Sequence, residues 1–307
     1  YAWPEHPRMA AALAAAALTA VNYRGVAKTA AATRVLVTLT LVVLGVALVG
    51  SFAGGATKAA RLVPWTGTDA YGVLQAAGLM FFAFAGYARI ATLGEEVRDP
   101  ARTIQRAVPL ALSIVVVIYA LVGVAVLLVL GADGVAASQA PLQDAVQVGS
   151  LHQTAPLVTV GAVAASLGVL LSAMAGVSRT TLAMARDQEL PGVLAAVHPK
   201  FAVPHRAELL LGVVVILTVS LADIRGTIGF SSTGVLIYYA IANASAWTLP
   251  GRSRWWRRPV AALGLIGCLM LVATLPLASV LTGLGVITVG LVARTIVHLY
   301  SHATFSP

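Results

Sequence analysis

Long apolar runs separated by short polar connections dominate the chain, and their lengths match membrane spans. A hydrocarbon core of about 30 Å takes roughly 20 helical residues to cross. Nine runs approach or reach that length: 7–21, 35–52, 71–90, 107–131, 157–177, 207–222, 228–249, 260–275 and 278–297. The first is short and alanine-rich. Lipid offers the backbone no hydrogen-bond partner, so spans must be helices or closed barrels, and these runs lack the period-two alternation of barrel strands. The fold expected is all-α: a polytopic membrane protein forming a single transmembrane domain over residues 1–307.

One stretch stands apart from this frame. FFAFAGYARIATLGEEVRDPARTIQRA, residues 81–107, runs from aromatic residues through Gly86 into a dense cluster of charge closed by Asp99 and Pro100. Glycine disfavours a helix interior by about 1 kcal/mol relative to alanine. A span broken there frees backbone N–H and C=O groups for a zwitterionic ligand, whereas an unbroken one would use the glycine for close helix packing. Asp99-Pro100 reads as a helix start, with an Asx cap and proline in the first turn.

Composition confirms the membrane and narrows the chemistry. Of 307 residues, 59% are hydrophobic and 10% charged, against about a quarter charged in a soluble domain. The net charge of +9 does not indicate a nucleic-acid partner, because the basic residues lie in short loops instead of one solvated face. They report orientation. All Lys and Arg except Arg8, Lys58, Arg61 and Arg225 fall on one set of alternate loops, which the positive-inside rule assigns to the cytoplasm. With nine spans the chain begins outside and ends inside, a multi-pass protein of the plasma (inner) membrane. Trp255 and Trp256 among Arg252, Arg254, Arg257 and Arg258 form an anchor facing anionic lipid.

Several chemistries find no support. The sequence lacks the glycine-rich loop ending in Gly-Lys-Ser/Thr that holds phosphates. Glu95, Glu96 and Asp99 stand among Arg98 and Arg102 and read as a solvated ion-pair cluster, not a Mg²⁺ site. His298 and His302 have helical ligand spacing but no third ligand in sight. The single cysteine, Cys268, makes no internal disulfide. No metal, cofactor or catalytic residue is expected, and the protein is not read as an enzyme.

The 81–107 stretch closely resembles the sixth helix and following loop of the amino acid, polyamine and organocation permeases, especially their cationic amino acid branch. APLQDAV (140–146) resembles that family's outer segment between helices seven and eight. SRTTLAMARDQELP (178–191) resembles the loop after helix eight, and VHPKFAVPHRAELLLG (197–212) the lead-in to helix nine. These matches keep family order and cover roughly residues 20–300. The resemblance implies a LeuT-like inverted-repeat permease fold in which the nine spans are helices four to twelve. Because residue 1 is Tyr, not Met, the chain is expected to be truncated, lacking the first three helices.

The resemblance also implies a substrate site where helix six breaks. Ala85 and Gly86 supply the break, Phe82 matches an aromatic gate, and Phe84, Tyr87 and Arg89 line the site; each ring alone is equally well read as packing. Close relatives carry an acidic residue at Ala88 and a small one at Arg89, so the local charge is reversed here. Arg89 contacts substrate, pins the inner gate, or snorkels to the interface. Some relatives place a proton-coupling lysine where this chain has Thr40. Threonine carries no proton charge, so the coupling ion, H⁺ or Na⁺, stays open, as does exchange without one. Arg186 and Asp187 resemble an inner-loop signature or an interfacial ion pair. Ser231, Ser232, Thr233, Tyr238 and Asn243 face the pathway or, preferentially, hydrogen-bond neighbouring helices. The function expected is a permease for amino acids or related amines, working by alternating access. The alternatives are a truncated product that transports nothing and a membrane-embedded enzyme or assembly subunit.

Overall fold

A computed structural model of the chain describes residues 7–52, 55–62, 69–86, 97–149, 151–221, 224–248 and 254–304. The described residues are helical throughout, with short turns between. The helices are α1 (Pro7–Tyr23), α2 (Val26–Phe52), α3 (Ala70–Met80), α4 (Pro100–Ala137), α5 (Pro141–Val148), α6 (Ala155–Arg186), α7 (His205–Leu221), α8 (Ile224–Thr248), α9 (Arg254–Thr274) and α10 (Leu277–Thr304). Every apolar run of the sequence overlaps one of them over its described residues, and α5 is an additional short helix in the segment 132–156. By length and composition alone, α2, α4 and α6 each suffice to cross a membrane. Arg258–Thr274 and Leu277–Val292 pass only as a pair, bent by 119°. Both α1 and α7 have 17 residues, and α8 carries serines, threonines and Asn243 along its length.

The chain divides into two compact units: Tyr1–Thr66 with Gly86–Ser220, and Gly67–Ala85 with Leu221–Pro307. In the first, α2 lies along α6, and small residues set how closely. A Cβ on Gly161 would stand 2.5 Å from Val43 Cγ1, and one on Gly168 3.5 Å from Leu36 Cβ. With no hydrophobic drive between helices in lipid, such close backbone packing is a principal source of association. Leu18, Leu171 and Met174 form the neighbouring core with Leu36 and Leu211. Buried Asn22 at the end of α1 ties three helices together. Its Nδ2 donates to Leu171 O on α6 (3.2 Å), and its Oδ1 accepts from Thr29 Oγ1 on α2 (2.9 Å).

The most exacting backbone feature is in α4. Gly131 has φ 73° and ψ 173°, conformations closed to residues with a side chain, and the helix kinks there. A kink frees carbonyls of the preceding turn, and buried carbonyls need donors. Arg61 supplies them: its Nη1 reaches Leu128 O and Ala56 O (3.2 Å each) as well as Val129 O. The Lys58 N–H donates to Leu128 O as well (3.0 Å). The apolar run 107–131 ends at this kink. At the other end of α4, Pro100 occupies the first turn as expected, but Asp99 does not cap. It lies in the left-handed region (φ 49°, ψ 64°) and its carboxylate makes no capping bond. A capping residue normally has extended backbone geometry, and the left-handed backbone of Asp99 departs from it. Thr103 Oγ1 instead donates to Arg98 O (2.9 Å). The cap role falls to Asp69 of α3, whose Oδ1 accepts from Gly72 N–H (2.9 Å).

In the second unit α8 packs on α9 and α10 through the same device. Cβ atoms added to Gly264 and Gly283 would collide with Asn243 and Thr233 of α8. The α3 helix joins α9 through Gln75 Nε2, which donates to Thr274 O in the last turn before Pro276 (3.0 Å). Replacing Arg61 with alanine strands the carbonyls of the α4 kink and is expected to cost about 1–3 kcal/mol. Thermal unfolding of the purified protein in micelles checks this; an Arg61→Ala melting temperature equal to wild type contradicts the assignment.

Candidate functional site

The helix expected to break does lose its regular winding, and the change begins ahead of the glycine. Helix α3 is α-helical to Met80, tightens into a 3₁₀ turn over Phe81–Phe84, and passes into a turn at residues 85–86. The Ala85 N–H closes on Phe82 O (3.0 Å), an i to i−3 bond. Changing from i−4 to i−3 bonding alters which carbonyls are used, and one of them finds a donor on another helix. Ser232 Oγ, fully buried in α8, donates to Leu79 O (3.2 Å). Phe81 sets its ring edge-on to Tyr239 of α8 (centroids 5.9 Å, 78°), and a Cβ on Gly78 would approach Leu271 O of α9 to 3.2 Å. The tightened turn is thus held by α8 while the α-helical part is held by α9.

The expected site residues fall unevenly on this frame. Phe82 is 43% exposed, whereas Phe84 and Ala85 are half-buried. Gly86 has no positive φ, and a Cβ there would meet no described heavy atom within 4 Å. Among the described residues, then, no close helix contact involves this glycine. Tyr87 and Arg89, with Glu95 and Glu96, lie outside the described residues, as do the side chains of Trp255, Trp256, His298 and His302.

The polar residues of α8 mainly serve packing. Thr233 and Asn243 bond carbonyls of their own helix, Gly229 O (2.9 Å) and Tyr239 O (2.8 Å), and Ser232 bonds α3. Thr40 donates to Leu36 O one turn back (2.8 Å) and lines a cavity of about 290 Å³ with Gln143, Thr159 and aliphatic residues of α2, α5 and α6. Among the described residues, none of those expected to bind substrate lines that cavity.

The 197–212 motif builds a compact knot of rings. His198 Nδ1 accepts from the backbone N–H of Lys200 (3.1 Å) and Phe201 (3.3 Å), turning the chain into α7. The rings of Tyr23, His198, Phe201 and His205 then pack mutually, with His198 4.8 Å from Phe201 and 5.5 Å from both Tyr23 and His205. One residue of this motif escapes a reading based on loops. Glu208 lies in the first turn of α7, 1% exposed, and accepts from Ser178 Oγ of α6 (2.8 Å). The sequence carries a signal for it: Glu208 is the lone Asp or Glu inside any of the nine apolar runs.

Apolar helices, packed through glycines and crossed by few charges, with one helix that loses its winding beside a cluster of phenylalanines, fit a helical membrane protein, and its relatives make it a transporter. The chain belongs to the amino acid permease family, whose model matches residues 1–294, within the amino acid, polyamine and organocation superfamily. It is 55% identical over 293 residues to an uncharacterized transporter of Mycobacterium tuberculosis, covering 95% of this chain and 67% of that protein. It is 26% identical over 293 residues to the branched-chain amino acid permease of Bacillus subtilis (93% and 62% covered). With cationic amino acid transporter 4 of Mus musculus it shares 31% identity over 174 residues (57% and 27% covered). These relationships identify a transporter, not an enzyme.

Because no described residue crowds Gly86, Gly86→Ala is expected to leave stability within about 1 kcal/mol of wild type. A melting temperature lowered as far as by Gly161→Leu, where the added side chain meets Val43, would show that Gly86 is a packing glycine after all.

Proposed function

We propose that the chain is a secondary active transporter for amino acids or related amines, working by alternating access in the plasma (inner) membrane, with its C-terminus in the cytoplasm. The observation that carries this reading is the loss of α-helical winding over Phe81–Gly86 in a chain of the amino acid permease family. An interrupted helix presents backbone N–H and C=O groups to a ligand at low cost, because those groups have no intrahelical partner to give up. A zwitterion needs both kinds of group, one for its carboxylate and one for its ammonium. The relatives named for branched-chain and for cationic amino acids differ in side chain and share that zwitterionic part, which is the part a backbone site recognises.

In this reading Ala85 and Gly86 contribute backbone groups, Phe82 closes over the substrate, Phe84 and Tyr87 line its side chain, and Arg89 sets the charge preference. The nine long helices correspond to helices four to twelve of the LeuT-like inverted-repeat fold, arranged as one transmembrane domain. The chain spans 67% of the mycobacterial relative's length, so the activity of that longer protein is carried over here as part of the proposal.

Residues 1–307 reconstituted in liposomes are expected to show saturable uptake of an amino acid or amine. Phe82→Ala is expected to reduce kcat/KM about tenfold, some 1.4 kcal/mol, and Arg89→Ala to alter selectivity among cationic, neutral and acidic substrates more than Arg89→Lys does. Folded protein with no saturable uptake contradicts the function; variants with wild-type kinetics and selectivity contradict the site.

A further inference from the structure

We propose that Glu208, with Ser178, forms a proton-binding site where α6 and α7 meet, a site separate from the substrate residues above. The carboxyl is buried and only half satisfied. Oε1 accepts from Ser178 Oγ at 2.8 Å, while Oε2 is buried with no hydrogen-bond partner among the described residues. One turn earlier on the same face of α7, His205 Nδ1 is likewise buried and unpartnered. A buried ionised carboxylate lacking a partner at one oxygen is costly. A proton removes both the charge and much of the deficit.

Ser178 is placed to serve both protonation states. Its hydroxyl carries one proton and can also accept, and its oxygen lies within reach of two acceptors: Glu208 Oε1 and Ala175 O of its own helix (3.1 Å). With Glu208 ionised, Ser178 donates to the carboxylate. With Glu208 protonated on Oε1, the carboxyl O–H donates to Ser178 Oγ, and the serine proton turns to Ala175 O. The exchange needs only a hydroxyl rotation, and every donor keeps an acceptor in both states. A serine with a single acceptor in range would not do this.

The charged and titratable surroundings are few. On α6 the cation facing Glu208 is Arg179, whose Nη1 also donates to Ala175 O (2.7 Å). On α7 they are His205 and Arg206, the latter directed to Val193 O (3.3 Å). Beyond His205 stand the rings of His198 and Tyr23, the last residue of α1. Tyr23 and Phe201 of the same knot line an open groove of about 680 Å³ along α1 and α7, which also exposes Arg24 and gives the knot a path to solvent. Thr40 offers no proton site, and Glu208 supplies one elsewhere in the same unit. Any influence of this proton on transport rests on the function proposed above; its binding does not.

The test is infrared difference spectroscopy on the purified full chain, following the C=O stretch of protonated carboxyl groups from about pH 5 to about pH 9. Wild type is expected to show a titrating carboxyl band that is lost in Glu208→Gln and whose frequency and midpoint move in Ser178→Ala, the midpoint by about one pH unit, a tenfold change in proton affinity. A wild-type spectrum without a titrating carboxyl band, or a band unchanged in both variants, overturns the site. Should Glu208→Gln not fold, Ser178→Ala decides alone: an unmoved band overturns the proposal, because a hydrogen bond serving only to hold the helices together would not set a titration. Amino acid uptake measured on the same preparations separates the two inferences. Absent uptake contradicts the transport reading and leaves the infrared result standing.

Discussion

The structure depends on one constraint: a chain surrounded by lipid must satisfy its backbone polar groups from within. Unbroken helices do so automatically. Wherever a helix kinks or tightens, carbonyls lose their usual donors, and the fold must bring others. Arg61 and the Lys58 N–H meet the carbonyls of residues 128 and 129 at the Gly131 kink. Ser232 meets Leu79 O where α3 turns 3₁₀, and Gln75 meets Thr274 O at the end of α9. These polar side chains are scarce in an otherwise apolar sequence, and their positions mark where the backbone departs from helix.

The same scarcity gives the small residues their importance. The glycines of α6, α9 and α10 sit where a Cβ would strike Val43, Asn243 or Thr233. Close backbone contact and interhelical hydrogen bonds, each worth about 0.6–2 kcal/mol, then replace the hydrophobic drive that a soluble protein would use. Gly86 departs from this pattern. Among the described residues nothing lies within 4 Å of a Cβ built there, and it follows a 3₁₀ turn, so it is assigned to the candidate site in the proposal above.

Much of this was legible in the sequence, because length, apolar continuity and missing alternation are properties of each run by itself. The nine runs and the interruption within 71–90 are of that kind. Less legible was anything requiring two distant segments to meet. Arg61 reads as one more loop cation until the α4 kink is placed over it. Glu208 sits inside a motif whose loop features attract attention, and its partner Ser178 belongs to a different motif. Asp99 illustrates a local failure: the residue types of a capped helix start are present, but Asp99 takes left-handed geometry instead of the extended geometry of an N-cap. The residues after Gly86, including Tyr87 and Arg89, rest on sequence alone.

The central claim, that the interrupted segment of α3 holds the substrate, is tested most directly by cysteine protection. With the native Cys268 replaced by alanine, single cysteines at Phe82, at Gly86 and at exposed Val160 of α6 would be labelled with a thiol reagent, with and without a panel of amino acids and amines. Substrate is expected to slow labelling at 82 and 86 and leave 160 unchanged. Equal labelling rates at 82 and 86 with and without every ligand would contradict the claim.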